Sequence, residues 1–86
     1  IDFNQYLGIL NGANAALSGS QAGVQNTVET FRQRRDAFVN ALHQIGWQVP
    51  NPTATMYVWA KLPQPWSVGS IDFAIQLVEA TGVAVS

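Results

Sequence analysis

Eighty-six residues weighing 9.3 kDa make one domain at most, with room for a modest hydrophobic core. Ionised side chains are only 10% of the sequence, four basic against five acidic, and eight Gln with six Asn outnumber them. A net charge of −1, no cysteine and one histidine argue against a nucleic-acid partner, a disulfide framework and a metal site, and no apolar run approaches the roughly 20 residues of a membrane span.

The first residue is Ile1 and the only methionine is Met56, and the chain ends on the apolar run Gly82-Val83-Ala84-Val85-Ser86. Both ends read as those of a piece of a longer protein. The first 20 residues lack the basic start and long apolar block of a signal peptide. In Asp2–Leu17 the apolar and small residues from Leu7 onward suit a helix. Gly8 and Gly12 weaken it by about 1 kcal/mol each, which suggests close packing against another element. Ser18-Gly19-Ser20 breaks the pattern.

Gln21–Ile45 is the strongest element. Val24, Val28, Phe31, Phe38, Leu42 and Ile45 recur at helical spacing and predict one apolar stripe on a long amphipathic helix. Glu29–Arg32 and Arg32–Asp36 fall at i,i+3 and i,i+4 on its outer face. Gly46 stands where a left-handed cap belongs, and His43 lies in the last turn, near the negative end of the helix dipole.

Trp47-Gln48-Val49 then reads as a short strand closed by Pro50 and Pro52. Thr53–Leu62 alternates with period two, with Thr55, Tyr57, Trp59 and Lys61 on one side and Met56, Val58, Ala60 and Leu62 on the other. Pro63 and Pro65 end it. Ser70 is the expected N-cap of a helix over Ile71–Ala80, with Ile71, Ala74, Ile75 and Val78 as its stripe and Phe73 and Leu77 beside them. Gly82 follows, and Val83–Val85 reads as a last strand. The expected fold class is α+β or α/β, with helices packed on one side of a small mixed sheet.

Few residues carry chemistry. Lys61 is the only lysine, and beside Pro63 and Pro65 it reads as a solvated lysine rather than a Schiff-base former. His43 reads as structural. Arg32 and Arg35 are spaced to grip a phosphate or carboxylate, but a solvated face paired with Glu29 and Asp36 is the simpler reading. Trp47, Tyr57, Trp59 and Trp66 suit a pocket wall or a small core. No phosphate loop, nucleophile elbow or metal-ligand spacing is present.

Four segments do carry a resemblance. They are Phe31-Arg32-Gln33-Arg34-Arg35-Asp36, Gly46-Trp47-Gln48-Val49, Pro52-Thr53-Ala54-Thr55-Met56-Tyr57-Val58-Trp59-Ala60 with Leu62-Pro63, and Gly82-Val83-Ala84-Val85. In order and spacing they resemble the C-terminal part of class I/II, fold-type I, pyridoxal-phosphate aminotransferases, whose helix "Y-x-x-R-R-D" is followed by "G-W-x-V" and "P-x-A-T-M-Y-V-W-A-x-L-P". The branch with LL-diaminopimelate and alanine/aspartate aminotransferases is most similar.

The resemblance implies residues 1–20 as an interdomain linker helix and 21–86 as a truncated small domain. It implies a cytoplasmic homodimer that transfers an amino group between an amino acid and a 2-oxo acid, with no nucleic-acid or membrane partner. The cofactor would be pyridoxal 5'-phosphate in the parent enzyme, with none bound by this chain alone. The family's cofactor lysine belongs to a motif expected upstream of Ile1, and its carboxylate-binding arginine to one downstream of Ser86. Lys61 does not match the former, so no residue here is expected to be catalytic. Two positions are implied to approach the parent's site: Tyr57 at the substrate mouth, and Tyr6 at the neighbouring subunit's cofactor phosphate. The competing reading is a non-catalytic dimerisation module built on the long helix through Val28, Phe31 and Phe38.

Overall fold

The computed structural model describes residues 3–86. It holds three helices, α1 (Leu7–Ser18), α2 (Ala22–Gln44) and α3 (Ser70–Thr81). Each lies within two residues of its expected span, apart from α1's start. Asp2, where that expectation began, lies outside the described residues. The chain divides into two units, Ile1–Ala37 and Phe38–Ser86, and α2 runs through the boundary.

The helix ends show why the elements stop where they do. At the end of α2, Gly46 takes φ +84°. Its N–H donates to the His43 carbonyl at 3.0 Å, and Trp47 N–H donates to the Leu42 carbonyl at 2.9 Å. This is a Schellman motif, which satisfies two carbonyls that the helix itself leaves open. At the end of α3, Gly82 takes φ +74° and donates to Val78 at 2.8 Å. Between α1 and α2 the Gln21 side-chain amide donates to the Ala16 and Gly19 carbonyls, and Ser20 Oγ accepts from Ala22 N–H. α3 departs from expectation at its start. Gly69 is the N-cap, without a side-chain bond, and Ser70 is already helical. Asp72 in the first turn complements the helix dipole instead.

The core lies in the second unit and is small: Val39 of α2, Val49 of the following segment and Phe73 of α3. Phe73 takes the Trp47 ring edge-on at 5.9 Å and the Trp66 ring edge-on at 5.2 Å. The helices cover only part of each predicted stripe, and the residue each buries most deeply lies beside it. α2 turns Val39 inward with Leu42 half-buried, while Phe38 and Ile45 are exposed. α3 buries Phe73 with Ala74 and Leu77 half-covered, and leaves Ile71 exposed.

The expected α+β fold class is overturned. Among the described residues there is no strand and no sheet, so the chain is an all-helical fold with extended connections. The reason lies in how each element satisfies its backbone. A helix pairs its own N–H and C=O groups, whereas a strand needs a neighbour to receive them. Around Trp47–Val49 and Thr53–Leu62, Pro50, Pro52, Pro63 and Pro65 offer no N–H. Thr55 sits at φ +67°, a left-handed conformation that breaks extended backbone at the head of the second segment. The alternation itself survives as burial. From Tyr57 to Leu62 exposed and half-buried residues alternate strictly, with Val58, Ala60 and Leu62 turned inward. Val83–Val85 is likewise unpaired chain after the Gly82 cap.

Candidate functional site

Lys61 stands on an open groove of about 290 Å³ lined by Gly46, Trp47, Gln48, Leu62, Pro63 and Gln64. The Schellman turn places Trp47 so that its indole Nε1–H donates to the Lys61 carbonyl at 2.8 Å. That bond ties the end of α2 to the alternating segment fourteen residues later. The groove lining includes no carboxylate, no histidine and no second cation. It offers an amine and two amides, without an acid–base pair. Among the described residues no cluster of His, Asp and Glu could hold a metal ion. None of the described helices is long and apolar enough to cross a membrane.

His43 is half-buried, and its Nε2 lies 2.8 Å from the carbonyl of buried Val49. A carbonyl only accepts, so Nε2 carries the proton and donates. His43 thereby pins the segment after α2 back onto its last turn, which is a structural role. The three arginines are engaged. Arg32 pairs with Glu29 at 2.8 Å, with both side chains half exposed. Arg35 pairs with Asp36 at 2.7 Å, so the expected Arg32–Asp36 pair gives way to a sequence neighbour. The Arg34 guanidinium lies 5.6 Å from the centre of the Phe31 ring, on the same helix. An anion grip by Arg32 and Arg35 is thus replaced by local ion pairs.

The aromatic residues separate into two groups. Trp47 and Trp66 flank Phe73 at the edge of the core, Trp47 half-buried and Trp66 exposed. Trp59 is 90% exposed and Tyr57 64% exposed, both on the outward side of the alternating segment. The backbone N–H of Tyr57 donates to Thr55 Oγ1 at 3.1 Å, so the tight turn at Thr55 fixes where Tyr57 begins. Tyr6 belongs to the other unit. It is the N-cap of α1, its carbonyl accepts from Ile9 and Leu10 N–H, and its side chain is exposed. Its ring folds back over the first turn, where a Cβ on Gly8 would stand 2.5 Å from the ring. Gly8 is therefore needed for the Tyr6 ring position, a local reason that the helix-propensity reading did not identify.

Residues 10–86 match the family described as "Aminotransferase class I and II". The chain is 42% identical to the glutamate-pyruvate aminotransferase AlaC of Escherichia coli K12 over 86 residues, 99% of this chain and 21% of that protein. It is 42% identical to the LL-diaminopimelate aminotransferase of Desulforudis audaxviator over 74 residues, 86% of this chain and 18% of that protein. Against the LL-diaminopimelate aminotransferase of Halothermothrix orenii it is 37% identical over 79 residues, 92% of this chain and 18% of that protein. The chain thus spans about a fifth of the length of these curated relatives. No solved structure matches it.

Proposed function

The chain belongs to the class I and II aminotransferase family, and on that footing we propose that it is the linker helix (residues 1–20) and truncated small domain (residues 21–86) of a pyridoxal-phosphate aminotransferase. The observation that carries this reading is the 42% identity to AlaC across essentially the whole chain. The parent would move an amino group between an amino acid and a 2-oxo acid. Its relatives' names favour glutamate with pyruvate or LL-diaminopimelate as the substrates to try first. We assign the parent to the cytoplasm as a homodimer.

The residues described here do not fit the cofactor by themselves. An aldimine-forming site needs an enclosed amine, a carboxylate for the pyridinium nitrogen and a phosphate cradle. Lys61 stands on an open groove without a carboxylate, and Glu29 and Asp36 are engaged by arginines. The cofactor therefore belongs to the parent polypeptide, and no chemical step is routed through this chain. Its proposed contributions are two outward-facing phenols. Tyr57 borders the substrate mouth and Tyr6 contacts the cofactor phosphate of the neighbouring subunit. The exposure of both side chains supports this, because a core tyrosine would be covered.

The test is the parent enzyme with and without Tyr57→Ala. The reading expects transaminase activity in the parent and a raised KM at unchanged melting temperature in the variant. An inactive parent sinks the family activity. Unchanged kinetics with lowered stability return Tyr57 to a packing role. In the 86-residue chain, borohydride reduction after mixing with pyridoxal phosphate should leave no stoichiometric adduct on Lys61.

A further inference from the structure

Asn11 is exposed, and its side-chain amide has no hydrogen-bond partner among the described residues, whereas the Asn14 amide oxygen accepts from the Ser18 hydroxyl. The residue after Asn11 is Gly12, and a Cβ placed there would meet nothing within 4 Å. The Gly12 nitrogen is therefore screened neither by a side chain of its own nor by a neighbouring element. The other five Asn precede Gln5, Ala15, Thr27, Ala41 and Pro52, whose side chains crowd that nitrogen or, in proline, replace its hydrogen. The helix around Asn11 is weakly held. None of α1's residues is buried, its N-cap Tyr6 makes no side-chain cap bond, and neither an acidic residue in the first turn nor a basic one in the last supports its dipole. Gly8 and Gly12 lower its propensity, and its 12 residues are few for a helix without packing. Such a helix opens locally at small cost.

We propose that the Asn11-Gly12 step is a self-modification site, at which Asn11 loses its side-chain amide as ammonia when α1 opens. The Gly12 nitrogen gives its proton to a solvent base and attacks Asn11 Cγ. The new C–N bond closes a five-membered succinimide, the bond from Cγ to the side-chain nitrogen breaks, and that nitrogen leaves with a proton as ammonia. Water then adds to one of the two ring carbonyls and cleaves its bond to the ring nitrogen. Opening at Cγ restores the normal backbone with an aspartate side chain; opening at the backbone carbon gives a β-linked aspartate. The balance is water in and ammonia out, with no oxidant, reductant or cofactor. Closed α1 blocks the attack, because the helix engages the Gly12 N–H with the carbonyl four residues back and holds Asn11 in the helical ψ well. Opening of the helix thus sets the rate. Either product puts a carboxylate in mid-helix, and the β-linkage also lengthens the backbone and breaks the i→i−4 ladder. The change is one-way and leaves α1 less helical. It rests on this chain's own residues and is independent of the activity proposed for the parent.

Peptide mapping by mass spectrometry, after timed incubation of the 86-residue chain at neutral pH, tests this, with β-linked aspartate identified by an isoaspartate-specific methyltransferase. Asn11 is expected to convert at least about tenfold faster than Asn14 on the same helix. Each converted chain should carry one negative charge more than the −1 of the unmodified chain. Gly12→Ala places a Cβ in the open space beside the nitrogen and favours the helix, and should slow conversion at least about tenfold. Tyr6→Ser supplies the missing capping hydroxyl away from the reacting atoms and should slow it about fivefold by holding α1 closed. Unfolding in guanidinium chloride removes the gate, so it should speed the wild type and erase the Tyr6→Ser difference while the effect of Gly12→Ala remains. Far-UV circular dichroism monitors the helix; if Tyr6→Ser loses helix, its conversion must speed up instead. No conversion at Asn11, equal conversion at Asn14, or a wild-type rate in Gly12→Ala overturns the site. A folded chain that converts as fast as the unfolded one overturns its control by α1.

Discussion

Phe73→Ala is the most severe test of the second unit's core. Phe73 is 8% exposed and is the residue on which Trp47 and Trp66 both rest edge-on. Truncating a buried Phe to Ala costs about 3–5 kcal/mol, and each aromatic pair adds about 0.5–1.5 kcal/mol of that beyond burial. Trp66 is 43% exposed, so the vacated space opens toward solvent and can partly collapse. The lower end, about 3 kcal/mol, is therefore expected. Domain stabilities near 0.05–0.15 kcal/mol per residue give a unit of this size roughly 2–7 kcal/mol in total. The substitution thus removes about two-fifths of its stability or more. Urea titration followed by near-UV circular dichroism reads it, because the signal of the flanking tryptophans depends on a fixed aromatic neighbour. Phe73→Leu keeps apolar volume without the ring edges and should fall between, at about 1–1.5 kcal/mol. Ile71→Ala, on the same helix but 75% exposed, should stay within about 0.5 kcal/mol of wild type. A Phe73→Ala curve that overlays wild type would refute the assignment of the core.

Three further substitutions probe the devices that shape the chain, each read by urea denaturation of the 86 residues. Gly46→Ala forces a Cβ into the left-handed cap at φ +84° and should destabilise by about 1 kcal/mol or more. Thr55→Asn replaces a β-branched residue at φ +67° with one that tolerates that region and can also accept the Tyr57 N–H, so a gain of roughly 0.5–1 kcal/mol is expected. His43→Leu keeps bulk but removes the donor to the Val49 carbonyl, for an expected loss of about 1–3 kcal/mol. No loss would mean that water replaces the imidazole.

What could be read in advance was whatever the chain decides locally. Helix spacing located α1, α2 and α3, and Gly46 and Gly82 marked two ends, because a left-handed cap is needed where the residue appears. His43 reads as structural from its place in the last turn, and the bond to Val49 supplies the detail. Which helix face turns inward was less legible. Val39 and Phe73, rather than the members of the predicted stripes, form the core, since that choice depends on where Trp47, Val49 and Trp66 arrive from distant sequence. Thr55 gave no signal, because nothing in Thr53-Ala54-Thr55 announces a positive φ. For the site, the motifs led to the family, whereas Tyr6 and Tyr57 were placed by resemblance alone.

The alternating segment shows how a correct pattern can accompany a wrong element. Period-two spacing states only that alternate side chains face opposite ways; it does not provide the hydrogen-bonding neighbour that makes a strand. Val58, Ala60 and Leu62 do turn inward while Tyr57, Trp59 and Lys61 turn outward. The long-range backbone acceptor in use there is the Lys61 carbonyl, and an indole donates to it, not a ladder N–H. That exchange also bears on function. A segment held by one indole bond, a tight turn at Thr55 and three inward side chains keeps its outward residues in a fixed order along one side. Tyr57 and Trp59 are then presented as surface, whatever covers them in a longer polypeptide. Replacing Trp47 by Phe would retain the edge contact with Phe73 while releasing the Lys61 carbonyl. It thereby separates two roles of one side chain, packing the core and setting the course of the segment that carries Tyr57.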